Sequence, residues 1–463
     1  MGSRVRALSV AYVQPDQAAD SPSRNADHTI KLSLFDAMFI PYAPVQRLFF
    51  YEGDNLPPFP ALSRSLRSSL AATLAVFTPL AGKLSTSSSG DVFIDCSPGA
   101  VSPGVRFVEA EYAADMRRLA ADAEHDVEAF RQLVPEFPVG ELPVPVLAVQ
   151  VTRPAEADAG GARVVAVGVA VHHAVADGKA LWQFLRAWAA VSRSCSMAGS
   201  GIRPPIFDRA VVNRHPKAEE VARKFVRILA PALPTVNTVP EPDITLQSRR
   251  TYMLSGDEIR SVKRRISLQS SKNEPAVVDP PTTTFVAIVS LIWTSFVRTK
   301  NSSNHAGDDV YLIFAADCRA RLRPPLDDAF FGNCVKTCYA RATAGELRGG
   351  GGDALARAAA AVLEAVHVYL EDPLADAERW LELLAAVPMD RVAPIASSHR
   401  FMAYETDFGW GAPSRVELVW ANVKEIVAVL GAPDGAVQVS VALDRERMDD
   451  FEASFLSQLQ GST

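Results

Sequence analysis

The sequence predicts an α/β (α+β) protein built as two lobes, and three observations carry that expectation. The chain has 463 residues, a length that favours two to three domains. Short apolar runs of strand length alternate with helix-length amphipathic stretches in both halves. Between the halves, prolines cluster at positions 204, 205, 216, 231, 234, 240 and 242, which suits a connector rather than a regular element. The expected division is an N-terminal lobe over 1–195, a crossover linker over 196–250 and a C-terminal lobe over 251–463.

Taken in order, the chain opens with a polar stretch that contains one strand-like piece, Arg6 to Val13. A second strand-like run covers Arg47 to Tyr51. Leu62, Leu66, Leu70 and Leu74 recur every fourth residue, which predicts an amphipathic helix starting near Ser63 or Ser65. "DVFIDC" reads as a strand after a Ser-rich turn. "VPVLAVQVTR" and "ARVVAVGVAVHH" form a hairpin-like pair that ends at two adjacent histidines. In the second half, "TTTFVAIVSLIWTSFVRTK" predicts a buried helix and "DVYLIFAADCRAR" a strand ending in charge. "GGGGDALARAAAAVLEAVHVYL" predicts a turn and a helix with Asp353 as N-cap. "VQVSVALDRERMDDFEASFLSQL" predicts a last strand and helix.

Composition excludes several classes. Apolar residues make up 48% and charged residues 22%, ordinary for a globular protein. A net charge of -6 gives no electrostatic reason for nucleic acid or a membrane surface as partner. Five cysteines at scattered spacings suit free thiols in a reducing compartment better than a disulfide or zinc framework. The N-terminus lacks a signal-peptide core, and no apolar stretch reaches the length of a membrane span. A cytoplasmic protein is expected, and nothing asks for more than a monomer.

The histidines stand in "VAVGVAVHHAVADGKALW", with Asp177 four residues after His173. A neutral imidazole accepts a proton near neutral pH, so His173 at a strand end could deprotonate a hydroxyl or amine. If the segment curls helically, Asp177 meets His173. If it is a tight turn, Asp177 holds the loop instead, and Gly178 supplies an unusual backbone angle. Taken alone, the pattern equally fits histidines that cap a strand. A metal site would need a third ligand that no motif supplies. No GxSxG elbow and no phosphate loop occur.

A second stretch decides between these readings. "SSHRFMAYETDFGWGAPSRVE" contains Asp407, Phe408, Gly409, Trp410 and Gly411. With HHAVADG before it, the chain resembles the plant BAHD family of acyl-CoA-dependent acyltransferases, whose two signatures are HxxxD and DFGWG. The resemblance runs from about residue 30 onward. It implies two lobes like chloramphenicol acetyltransferase, each a mixed sheet flanked by helices, with a channel at their interface. It implies His173 as general base and an acyl-CoA thioester as co-substrate, with no tightly bound cofactor, no metal and no covalent acyl-enzyme. Asp177 and the DFGWG loop take structural roles, and Asp177 is expected to pair with Arg319. Some members are thought to use a Thr-Trp pair shortly before DFGWG as oxyanion donor. Here Ala396, Ser397, Ser398 and His399 stand there, without the Trp.

Three spellings, "LFDAMFIPYAPVQRLFFYE", "FFGNCV" and "SSHRFMAYETDFGWG", resemble the anthocyanin and phenolic-glucoside branch. That branch implies malonyl transfer to a sugar hydroxyl of a phenolic glycoside. Lys179 and Arg400 are candidates for the malonyl carboxylate. Lys263, with Arg264, could meet the coenzyme A phosphates, and Thr283, Thr284, Ser398 and His399 are further donor-side candidates. Phe35 and Asp36 are candidates for the acceptor pocket. Hydroxycinnamoyl transfer to a phenolic, polyol or amine is the enzymatic alternative, and a non-catalytic ligand-binding member is the alternative of another class.

Overall fold

Val-, Ala- and aromatic-rich runs build two six-stranded sheets and one small sheet. A computed structural model describes residues 3–16, 28–155, 163–196, 198–240, 243–273, 282–300, 305–349, 352–419 and 424–461. The first large sheet runs, in spatial order, Val5–Val13, Val105–Tyr112, Leu147–Pro154, Arg163–Val171, Val45–Gly53 and Arg415–Leu418. All its neighbours are antiparallel except the parallel pair Val105–Tyr112 and Leu147–Pro154. The expected strand pair ending at the histidines is adjacent, with Leu147 opposite Val171. Arg163–Val171 is buried over Val164 to Val171, which is why it reads as a continuous apolar run rather than an alternating one.

Helices Phe59–Leu74 and Gly178–Ser194 pack against each other in this unit, and the Trp188 indole N–H donates to Leu66 O (3.2 Å) and Ser69 Oγ (3.0 Å). Leu62, Leu66, Leu70 and Leu74 are all buried. The helix begins at Phe59 rather than at a serine. Pro60 sits in its first turn, where a missing N–H costs nothing. Ser63 is buried and donates instead to Glu109.

The second large sheet runs Gln247–Leu254, Val437–Asp444, Ile426–Gly431, Val392–Met402, Asp309–Asp317 and Val335–Thr343. Its two inner pairings with Val392–Met402 are parallel and the others antiparallel. Helix Thr284–Thr299 is buried from Val286 to Val297. It packs against helices Gly352–Leu370 and Arg445–Gln460. Asp353 is inside the first turn of its helix, where a carboxylate favours the N-terminal dipole without serving as the cap. The fold is therefore mixed α/β with two sheet-rich lobes.

The compact units do not follow chain order. Unit 1 is Met1–Pro242, Arg323–Cys334 and Ala403–Asn422; unit 2 is Asp243–Leu322, Val335–Met402 and Val423–Thr463. Most of the Pro-rich tract thus belongs to unit 1 and carries helix Ala218–Leu229, which buries Val221 and Phe225. The prolines bound that helix rather than prevent it. The DFGWG segment also belongs to unit 1, because Arg415–Leu418 adds an antiparallel strand beside Val45–Gly53. Among the described residues, no helix is long and apolar enough to cross a membrane.

Candidate active site

The apolar strand Arg163–Val171 ends where His172 N–H donates to Val146 O (3.0 Å). The next residues turn tightly, with Val175 N–H donating back to His172 O (3.0 Å). His172 is buried, and its Nδ1 accepts the Ala174 N–H (3.2 Å). Burial, with His173 adding to it, pushes the His172 imidazole down to about 3, so it stays neutral.

His173 differs from its neighbour. Its residue is half-buried, and its Nδ1 is buried with no hydrogen-bond partner. Phe39 stacks on the ring, centroids 3.9 Å apart and planes 3° from parallel, while Tyr42 stands edge-on at 6.4 Å. Burial lowers the pKa of His173 below the ordinary value, and Arg47 adds to that. Asp177 and the Asn333 side chain pull the other way. The result is an imidazole held neutral within a half-buried residue, the protonation state a proton acceptor needs.

Asp177 caps the helix that follows. Its Oδ1 accepts Ala180 N–H (2.9 Å) and its Oδ2 accepts Cys334 N–H (3.0 Å). Of the two geometries the spacing allows, the turn is the one formed: the carboxylate is committed to backbone N–H groups. Gly178 opens the helix and is not one of the glycines with positive φ. The extended Asp177 backbone makes the change of direction, so no left-handed residue is required.

Residues 330–334 complete this region of unit 1. Asn333 is fully buried; its Nδ2 donates to His173 O (2.9 Å) and to Asp36 Oδ1 (3.0 Å), and its N–H donates to the same Oδ1 (2.9 Å). The other oxygen of Asp36 accepts from Ser33 N–H (3.0 Å), Ser33 Oγ (2.8 Å) and Arg209 Nε (3.3 Å). Arg209 also donates to Phe207 O (2.7 Å) and Phe331 O (2.8 Å). A Cβ at Gly332 would stand 2.6 Å from Arg209 Nη2, so this close approach needs glycine. Phe35 and Asp36 are both 0% exposed. Neither lines an open pocket, contrary to the sequence expectation. Asp36 is the hub of a buried network that holds the His173 backbone.

The DFGWG loop is the most saturated part of the site. Asp407 Oδ1 accepts three N–H groups, from Gly409 (2.7 Å), Trp410 (3.0 Å) and Gly411 (2.9 Å). Gly409 and Gly411 have φ of 105° and 103°, which L side chains rarely adopt. Ser192 Oγ donates to Phe408 O (2.8 Å), Tyr51 Oη to Thr406 O (2.7 Å), and Arg193 to Asp407 O. Phe408 meets Trp188 edge-on at 4.9 Å, and Trp410 meets Tyr51 at 5.2 Å. The loop is therefore fastened to the far end of the helix that Asp177 caps.

The donor-side candidates belong to unit 2. Thr283 caps helix Thr284–Thr299 and accepts Val286 N–H (3.2 Å). Lys263 and Arg400 are close enough to His399 to depress its pKa, although burial is the larger cause. His399 Nδ1 is buried without a partner. Ser398 Oγ accepts Arg400 N–H (3.2 Å), and the preceding Ser397 has φ of 68°. Arg319 is 1% exposed, and its Nη1 donates to Asp317 Oδ1 (3.0 Å). In unit 1, Lys179 reaches the exposed Asp328 carboxylate (3.0 Å). A cavity of about 960 Å³ in unit 1, lined by Lys31, Asp91, Asn213, Arg223, Val226 and Leu233 among others, includes none of these residues.

Phe39, Tyr42, Arg209 and Asn333 were not singled out from the sequence. The signal was present for three of them, since they lie inside the quoted stretches "LFDAMFIPY" and "FFGNCV". Arg209 has no local signature, because its partners are brought to it from residues 36, 207 and 331.

The sequence profile of the Transferase family matches residues 12–457. The chain is 30% identical to malonyl-CoA:anthocyanidin 5-O-glucoside-6''-O-malonyltransferase of Arabidopsis thaliana, covering 98% of each chain. It is also 30% identical to phenolic glucoside malonyltransferase 1 of Bemisia tabaci, covering 99% of this chain and 98% of that one. Among solved structures it resembles vinorine synthase, with a TM-score of 0.74 and 19% identity over 98% of both chains. It also resembles TRI101 of F. sporotrichioides complexed with coenzyme A and T-2, with a TM-score of 0.64 and 16% identity over 92% of this chain and 97% of that one. The family profile spans nearly the whole length and the relatives beside it are acyltransferases, so the chain is an acyl-transferring enzyme and belongs to the transferase (BAHD) family of acyl-CoA-dependent acyltransferases.

Proposed function

We propose that the enzyme transfers a malonyl group from malonyl-CoA to a sugar hydroxyl of a flavonoid or other phenolic glucoside, with His173 as general base. The observation that carries the role of His173 is its pairing state. Nδ1 is buried without a partner and the residue as a whole is half-buried, which leaves Nε2 as the nitrogen to meet an incoming hydroxyl. As the acceptor oxygen attacks the thioester carbonyl, its proton passes to Nε2. The tetrahedral intermediate then collapses, the C–S bond breaks, and the imidazolium returns the proton to the leaving sulfur. Holding both reactants at one histidine supplies several kcal/mol of the advantage. Asp177, Gly178, Arg319 and residues 407–411 scaffold this centre. Lys263, Thr283, Thr284, Ser398, His399 and Arg400 serve the donor side. Five free cysteines suit work in the cytoplasm, and the reading needs only a monomer.

The malonyl donor is supported by the names of the relatives. Relatives named for feruloyl and coumaroyl transfer, at 27% and 26% identity, favour hydroxycinnamoyl transfer as the second reading. Donor competition separates them. With one phenolic glucoside as acceptor and equal malonyl-CoA and coumaroyl-CoA, the product mass should be that of the malonyl ester. A coumaroyl ester as main product would overturn the donor assignment, and no ester from any donor in the presence of a folded protein would favour a ligand-binding role.

A further inference from the structure

A general base accepts a proton along a nitrogen lone pair that lies in the plane of its ring. The plane of the imidazole therefore fixes the direction from which the acceptor hydroxyl must arrive, and something must hold that plane. Asn333 Nδ2 donates to the residue-173 carbonyl and, with the residue's own backbone, favours the charged imidazole, but the ring's buried Nδ1 has no hydrogen-bond partner to fix its plane. Phe39 lies flat against the ring, parallel to within 3° at 3.9 Å.

We propose that Phe39 is a positioning residue that sets the plane of the His173 imidazole, with Tyr42 as its backstop. This rests on the reading of His173 as the base. Tyr42 meets Phe39 edge-on at 5.6 Å and His173 at 6.4 Å, so the stacked pair is braced from the side. The backbone that carries Phe39 is tied down by short-range bonds. Phe39 N–H donates to Asp36 O (3.1 Å), and Tyr42 N–H donates to Phe39 O (3.3 Å). Asp36 is also the residue whose carboxylate holds Asn333, and Asn333 holds His173 O. One buried node thus fixes both partners of the stack. A parallel stack covers one face of the ring and leaves its edge free, so it orients the base without blocking it. Such orientation is where a small displacement costs rate rather than binding.

The test compares Phe39→Leu, which keeps apolar bulk and loses the flat ring, with Phe39→Trp, which keeps a flat ring. Steady-state kinetics with the acyl-CoA donor and phenolic glucoside that win the competition assay should show Phe39→Leu lowering kcat by about tenfold or more, with KM for either substrate little changed. Phe39→Trp should restore most of the loss. A readout independent of turnover is the His173 ring C–H resonance in histidine-labelled protein, assigned by its absence in His173→Ala. That resonance should leave its ring-current-shifted position in Phe39→Leu and remain shifted in Phe39→Trp. Wild-type kcat in Phe39→Leu, a loss confined to KM, or equal losses in both variants would overturn the proposal. If Phe39→Leu does not fold, Phe39→Met makes the same comparison. Full turnover by His173→Ala would instead sink the reading of the base itself, and the two failures are told apart by that one control.

Discussion

The strand-end turn at 172–177 and the loop at 407–411 are fastened to opposite ends of one helix, Gly178–Ser194, yet they are built on opposite principles. In the loop the backbone is held by side chains: three N–H groups converge on Asp407 Oδ1, and the carbonyls of Thr406, Asp407 and Phe408 each accept a side-chain donor. In the turn, Asp177 is equally committed, but the neighbouring, half-buried His173 keeps its buried Nδ1 unpaired. Saturated groups hold shape, whereas His173, in the proposed reading, keeps Nε2 for proton exchange. Two sequence signatures of similar length therefore do different work, and the pairing of their atoms distinguishes them.

The largest effect that would test this contrast is His173→Ala. The rate should fall by about 10²- to 10⁴-fold, whereas loss of the aromatic stack costs about 0.5–1.5 kcal/mol of stability; an assay of turnover beside a urea titration reads both. Asp407→Ala should invert the pattern. Three N–H groups lose their acceptor, at a cost of about 1–3 kcal/mol, while the folded fraction turns over near the wild-type rate. A rate collapse in Asp407→Ala without loss of stability would erase the distinction.

A pH series sharpens it further. The His172 imidazole falls from 6.5 unfolded to about 3 folded, so the unfolded chain binds more protons between those values. Stability is complete above 6.5 and declines as pH drops through that window, by up to about 1.4 kcal/mol per unit. His172→Gln should flatten that slope in urea titrations at pH 5 and 7. The smallest effect belongs to Lys179→Ala. Its pair with the exposed Asp328 is worth about 0–1 kcal/mol, and donor preference should not change. A loss confined to malonyl-CoA would give Lys179 a carboxylate to hold after all.

What the sequence made legible was local. The every-fourth-residue leucines from Leu62 to Leu74 and the apolar run before His172 each depend on a few neighbours, and each is where periodicity places it. HxxxD and DFGWG were legible for the same reason. The start of the helix at Phe59 was missed because Pro60 is acceptable in a first turn, and apolar spacing does not show it. Long-range partners were not legible. Asp36 reads as an acceptor-pocket candidate and is buried because Ser33, Arg209 and Asn333 surround it. The stack of Phe39 on His173 joins residues more than 130 positions apart, and no window of sequence contains it.

The strand Arg415–Leu418 beside Val45–Gly53 has a consequence for how the polypeptide is made. A ribosome must translate beyond residue 418 before the first sheet can close its last edge. Until residues 323–334 emerge, the Asp36 carboxylate lacks its Asn333 donors and Asp177 lacks the Cys334 N–H. The nascent first half therefore waits, incomplete, through most of synthesis. Severing the gene in the Pro-rich tract would produce a fragment that keeps His173 but lacks the segments that anchor it.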